Sequence, residues 1–148
     1  MRLSVSAPVA IVLDLQQIAS LRAEDESGMF GVLPGHADLM TALIPCVLSW
    51  HDSAGLEGFC AVRGGVLSII GGHRIQVATR EAVVGTDLER LENEVVRRFR
   101  TAVAEEESAR VGEARLQTAL MRQILTYLRP ERGTVGAAMP RGGLSNLE

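Results

Sequence analysis

The chain has 148 residues, enough for one domain of ordinary size or a small domain with an appendage. With 47% hydrophobic and 22% charged residues it can bury a core, and 18 acids against 15 bases argue against nucleic acid as the main partner. Every base is arginine, which excludes a phosphate-binding loop built on lysine and any lysine Schiff base. Along the first 85 residues, Leu3–Ala7, Ile18–Ala23, Val47–His51, Phe59–Arg63, Val66–Ile70 and Arg74–Ala78 alternate or are β-branched, so they are expected to be strands. Gly64-Gly65 and Gly71-Gly72 punctuate these runs as hairpin turns would. Asp38 to Leu43 is compatible with a single helical turn ending before Pro45. In Arg74–Ala78 only Ile75 and Val77 share an apolar face, so the strands need a second sheet to cover them. Residues 1–85 are therefore expected to form a small β-sandwich.

The pattern changes at residue 86. Residues 1–85 carry 13 charges, whereas the 44 residues from 86 to 129 carry 16, with Gly112 as their one glycine and no proline. Thr86-Asp87-Leu88-Glu89 has the form of a capping box, with Thr86 as the cap. Leu88, Leu91, Val95, Phe99 and Ala102 or Val103 follow at helical spacing, and Leu116, Leu120, Ile124 and Leu128 form a second stripe. Glu94 and Arg98, like Glu106 and Arg110, stand four residues apart on the outer side, each exposed pair adding ~0.3–0.5 kcal/mol. A break between Glu105 and Gly112 gives two short amphipathic helices, hence an antiparallel hairpin. Its narrow stripes bury little area, so at ~25 cal/mol per Å² the pair is marginal unless it docks elsewhere. The expected fold class is α+β: an N-terminal β-sandwich (1–85), then a C-terminal antiparallel two-helix hairpin (86–129). Residues 130–148 are dense in glycine and proline and are expected to be a flexible tail.

Chemistry is sparse. Cys46 and Cys60 are the only thiols, fourteen residues apart and with no histidine at ligand spacing to both, so no metal site is expected. Two buried thiols without a disulfide suit a reducing compartment. No secretory leader is visible, and the longest apolar stretch, Ala7–Leu13, falls short of the roughly 20 residues a membrane helix needs. His36, Asp38 and Thr41 are the nearest approach to a catalytic set, but they share one short turn region and supply no oxyanion site. No catalytic residue is expected.

Gly28-Met29-Phe30-Gly31-Val32-Leu33-Pro34-Gly35-His36-Ala37-Asp38-Leu39-Met40-Thr41-Ala42-Leu43 resembles the signature of the epsilon subunit of F-type ATP synthases. Ala61-Val62-Arg63-Gly64-Gly65-Val66-Leu67 is similar to that family's double-glycine hairpin, and Ala78-Thr79-Arg80-Glu81-Ala82 to its strand before the helices. The resemblance spans residues 2 to about 129. Asp38 stands where the family usually has proline, Met29 where several members have an acid, and Pro8–Asp14 lacks the usual glycine-rich bend. Such departures resemble the divergent branch encoded in alternate operons of proton- or sodium-translocating ATPases.

The resemblance implies a central-stalk subunit with no catalysis of its own, peripheral to the cytoplasmic face of the bacterial plasma membrane. One face of the sandwich would bind the gamma subunit. The loop of Met29, Phe30, Gly31, Val32, Leu33, Pro34, Gly35 and His36 would lie against the ring of c subunits, kinked by its glycines and proline. His36 also reads as a hydrogen-bond partner within the turn, and that local role is favoured. The hairpin would fold on the sandwich or extend into the alpha/beta catalytic head and hinder rotation in the hydrolysis direction. Arg115 and Arg122 would then meet an acidic loop of beta, although a solvated helix face is their plainer reading. Some members bind ATP through an acid-x-x-Arg-Ala motif. Asp87 and Arg90 keep the acid and the arginine, but Leu91 replaces the alanine and fills space for the adenine, so no cofactor is expected. A free-standing adaptor of β-domain and coiled-coil arm is the competing reading, and co-purification with gamma and c separates the two.

Overall fold

The computed structural model describes residues 1–128. Eight strands come first: β1 (Arg2–Ala7), β2 (Ala10–Leu15), β3 (Ile18–Asp25), β4 (Gly28–Val32), β5 (Leu39–Asp52), β6 (Glu57–Ile70), β7 (Arg74–Ala78) and β8 (Ala82–Gly85). They join in one sheet, in the order β2-β1-β7-β6-β5-β3-β4, with β8 pairing on β6. Only β1 and β7 are parallel. The sheet folds over to make the sandwich that the half-buried strands demand. Leu3, Val5, Ile75 and Val77 from one half share a core with Leu21, Val32, Leu48 and Trp50 from the other.

The long central strands depart from the expected strand list. Phe59–Arg63 and Val66–Ile70 belong to a single strand, β6, and Gly64-Gly65 lies inside it. These glycines mark where β6 changes partner, from β8 at Phe59–Val62 to β7 at Val66–Ile70. Their φ angles are +73° and +119°, and a Cβ on Gly65 would stand 2.0 Å from the carbonyl oxygen of Ala78. The pair therefore permits a close backbone approach within a strand. Gly71-Gly72 does form the β6–β7 turn, with φ of +64° and +71°. The helical turn expected at Asp38–Leu43 is the start of β5, with Pro45 inside the strand. Proline is tolerated there because the ladder to β3 is already broken: Arg22 pairs with Ser49 and Asp25 with Leu43, so Ile44 to Leu48 bulge opposite Ala23 and Glu24.

The helical region starts with one turn, α1 (Leu88–Arg90), passes through a π-helical segment, Leu91–Val96, and continues as α2 (Arg97–Leu128). Its cap is Asp87 and not Thr86. The Asp87 carboxylate accepts the backbone N–H of Arg90 at 3.1 Å, where a negative charge also complements the helix dipole. The wider π turn puts Leu91, Val96 and Phe99 on the buried side, while Val95 is only half-buried and Leu88 is exposed. They pack on Phe59 and Ala61 of β6.

Among the described residues α2 runs unbroken through Glu105–Gly112, so the expected break between two helices does not occur there. No proline interrupts it, and one mid-helix glycine costs only ~1 kcal/mol, too little to stop a helix of good formers. The chain divides into two compact units after Ala109. The expected tail, 130–148, lies outside the described residues.

Candidate functional site

Two turns interlock at one end of the sandwich. The Gly35 N–H donates to the Gly72 carbonyl at 2.8 Å, and the Gly71 N–H donates to the Asp38 carboxylate at 2.7 Å. A Cβ on Gly72 would stand 2.9 Å from the Gly35 Cα, so the second turn cannot carry a side chain there. The His36 N–H donates to Leu33 O, and its Nδ1 to Ala37 O at 2.7 Å. Asp38 thus ties the two turns together.

The loop expected to touch a partner splits into two kinds of structure. Gly28–Val32 is strand β4, paired with β3, and only the residues after it form a turn. Val32 is fully buried, so it serves the core and offers no contact surface. Phe30 is half-buried against the same core. Gly31 sits opposite Arg22 in the ladder. Met29, Leu33 and Pro34 are exposed. Met40 and Ile70 were not singled out from the sequence. Met40 is 75% exposed and faces Ser68 across the sheet, with Val66 and Ile70 at the diagonal positions. The alternation of Val66, Ser68 and Ile70 against buried Leu67 and Ile69 was the available signal.

A second feature lies where the helix meets the sheet. Glu106 of α2 is hydrogen-bonded to the Arg63 guanidinium, and its other oxygen lies 3.2 Å from Arg80. Arg98 pairs with Glu81 at 3.2 Å. The expected Glu94–Arg98 and Glu106–Arg110 pairs are thus replaced: Glu94 takes Arg90 at 3.2 Å, and Glu106 and Arg98 reach the sandwich. Ion pairs between elements fix the helix where pairs along it would not. Arg63 is mostly buried, and its charge is balanced by Glu106 together with Glu81, whose carboxylate lies 3.9 Å away.

Asp87 and Arg90 come together at a cleft of about 510 Å³ lined also by Glu94 and Arg98. Both are already engaged, Asp87 as the helix cap and Arg90 with Glu94. Leu91 is 4% exposed, and its side chain packs close to Gly85. Arg115 and Arg122 are exposed on α2, seven residues apart and so on one side of the helix. His36, Asp38 and Thr41 do not assemble: each bonds elsewhere, Thr41 to Asp25 at 2.8 Å. Cys46 and Cys60 are buried and free, and burial pushes both thiols up to about 11. Among the described residues no group of three histidines, cysteines or acids is placed to hold a metal, and no helix is long and apolar enough to cross a membrane.

Comparison with known proteins gives these surfaces a context. Residues 1–85 match the family model for the ATP synthase delta/epsilon chain, beta-sandwich domain. The ATP synthase epsilon chain 2 of Paraburkholderia xenovorans is 43% identical over 133 residues, covering 90% of this chain and 96% of that protein. Its counterpart in Cereibacter sphaeroides is 44% identical over 126 residues, covering 85% and 86%. Among solved structures, a chain of the Euglena gracilis mitochondrial ATP synthase matches with a TM-score of 0.54 at 24% identity, over 61% of this chain and 57% of that one. A chain of the Tetrahymena thermophila mitochondrial ATP synthase, in a structure of its central stalk and c-ring, matches with a TM-score of 0.50 at 11% identity, over 70% and 90%. At such identities the solved structures speak for the fold alone.

Proposed function

Because the chain belongs to the epsilon-subunit family of F-type ATP synthases, we propose that it works as a central-stalk subunit, coupling rotation of a c ring to ATP synthesis without chemistry of its own. The observation that carries this reading is the extent of the likeness: 43% identity over 96% of a relative's length. In this reading the sandwich binds gamma, and the turn bearing Leu33, Pro34, Gly35 and His36 lies against the c ring. The interlocked turns favour it, since a rotor contact needs a rigid end and these turns are braced backbone to backbone. Met40 and Ile70 add apolar surface for such a contact. The protein is then peripheral to the membrane on its cytoplasmic side.

The helical region is the regulatory part, reaching the alpha/beta head through Arg115 and Arg122. Its apolar residues support a partner, because Leu116, Leu120, Ile124 and Leu128 are each more than half exposed. ATP binding at Asp87 and Arg90 is not favoured, since both side chains are engaged and Leu91 takes the place of a small residue. The test is truncation after Ala109 in the assembled synthase, which keeps the packed start of the helix and Glu106 and removes Arg115, Arg122 and the exposed apolar residues. Assembly is expected to survive and ATP hydrolysis to change more than synthesis. Unchanged hydrolysis would count against a regulatory helix, and failure of the full-length chain to assemble with gamma would count against the stalk role.

A further inference from the structure

On the outward side of the sheet, β1 and β7 run parallel and in register, so Arg2 stands beside Arg74 and Ser4 beside Gln76. Like charges at facing positions of neighbouring strands oppose folding. Only one of the two is neutralised. Arg2 forks onto Asp14 at 2.8 and 3.0 Å, whereas Arg74 is in none of the ion pairs of the described residues. The four side chains line a polar cleft of about 310 Å³. Other arginines, Arg22 among them, also form no ion pair among the described residues; Arg74 differs in having a second arginine directly beside it across the strands.

The surroundings say what kind of group the cleft takes. The row Asp14, Ser4, Gln76, Ser68 and Met40 crosses five strands, and its one carboxylate already serves Arg2. At the usual strand spacing that row is ~19 Å wide, the scale of a protein contact and not of a small ion. The outward side of β6 is covered by the helix at Phe59 and Ala61, but Val66 and Ile70 further along are 43% and 46% exposed.

We propose that Arg74, with Arg2 beside it and Ser4 and Gln76 two positions along the two strands, anchors a carboxylate side chain of the protein that lies on this face. The proposal rests on the stalk reading, in which that protein is the gamma subunit. A carboxylate over the cleft receives the fork of Arg74 and relieves its repulsion with Arg2.

The test is titration of purified gamma into the full-length chain at low and high salt, with Arg74→Gln and, as a control, Arg22→Gln, an exposed arginine of β3. Arg74→Gln is expected to weaken binding about tenfold at low salt, with a smaller deficit at high salt, and Arg22→Gln to leave it unchanged. In the isolated chain Arg74→Gln is expected to raise the melting temperature by about 1–3 °C, because it removes a like-charged neighbour. That gain also excludes misfolding as the source of weaker binding. Unchanged affinity, or a lowered melting temperature, overturns the proposal and leaves the stalk reading standing. Absence of gamma binding by the unaltered chain overturns the stalk reading itself. Inorganic phosphate is the remaining arm: submillimolar binding abolished by Arg74→Gln, with gamma affinity intact, would assign the cleft to a free anion and overturn the proposal.

Discussion

Asp25 ends β3 and joins three pieces of chain. Its Oδ1 accepts the Ser27 hydroxyl at 2.5 Å and the Ser27 N–H at 2.9 Å, and its Oδ2 accepts the Thr41 hydroxyl of β5 at 2.8 Å. The Ser27 hydroxyl first, then Thr41, hold this carboxyl below its ordinary value of 3.8. A depressed carboxylate means the unfolded chain binds the proton more readily. Its stabilisation is therefore present above about pH 4 and disappears as pH falls through the folded value. Arg2 acts on Asp14 in the same direction. Urea unfolding of Asp25→Asn is expected to show lower stability than the unaltered chain at pH 6 and no deficit near pH 2. A deficit of equal size at both pH values would mean that the charge is not what holds the turn.

At the scale of elements, the continuous helix is the feature that matters most. A Cβ at Gly112 would meet nothing within 4 Å, so alanine fits the helix without strain. Gly112→Ala is expected to raise helicity and stabilise α2 by ~0.5–1 kcal/mol, read by circular dichroism during thermal unfolding. A loss of helicity would indicate a turn at this glycine and restore the hairpin. The alternating runs that became β1, β3 and β7 were legible because one face of each is buried and the other wet. β2 was not legible: a bulge between Val5 and Ser6 sets Leu13 opposite Val5 but Ile11 opposite Ser6, which breaks the alternation at Val12. Gly64-Gly65 misled because glycine pairs mark turns far more often than a change of partner within a strand. The helix register hid in the same way, since a π turn shifts burial from Val95 to Val96 and no local composition announces it. In the candidate site, Gly35 and His36 were legible from their motif, whereas Asp38 bracing Gly71 and Glu106 on Arg63 join residues 33 and 43 positions apart and needed the fold.

For the whole molecule, three outward surfaces have distinct physical characters. The interlocked turns are rigid and carry exposed apolar side chains. The β1–β7 face is a polar cleft, with an arginine, Arg74, that forms no ion pair among the described residues. The helix after Ala109 carries apolar residues on one side and Arg115 and Arg122 away from them. The burial of Cys46 and Cys60, with thiols held near 11, makes a cysteine-based probe practical, because the native chain contributes little background labelling at neutral pH. The most direct measurement is therefore cross-linking in the assembled synthase from a photoactivatable probe on Leu33→Cys, with Ala54→Cys, on the exposed β5–β6 turn, as the comparison position. The account predicts that the Leu33 probe captures a c subunit and the Ala54 probe does not. Equal capture from both positions, or none from Leu33 in an assembly that contains this chain and gamma, would contradict it.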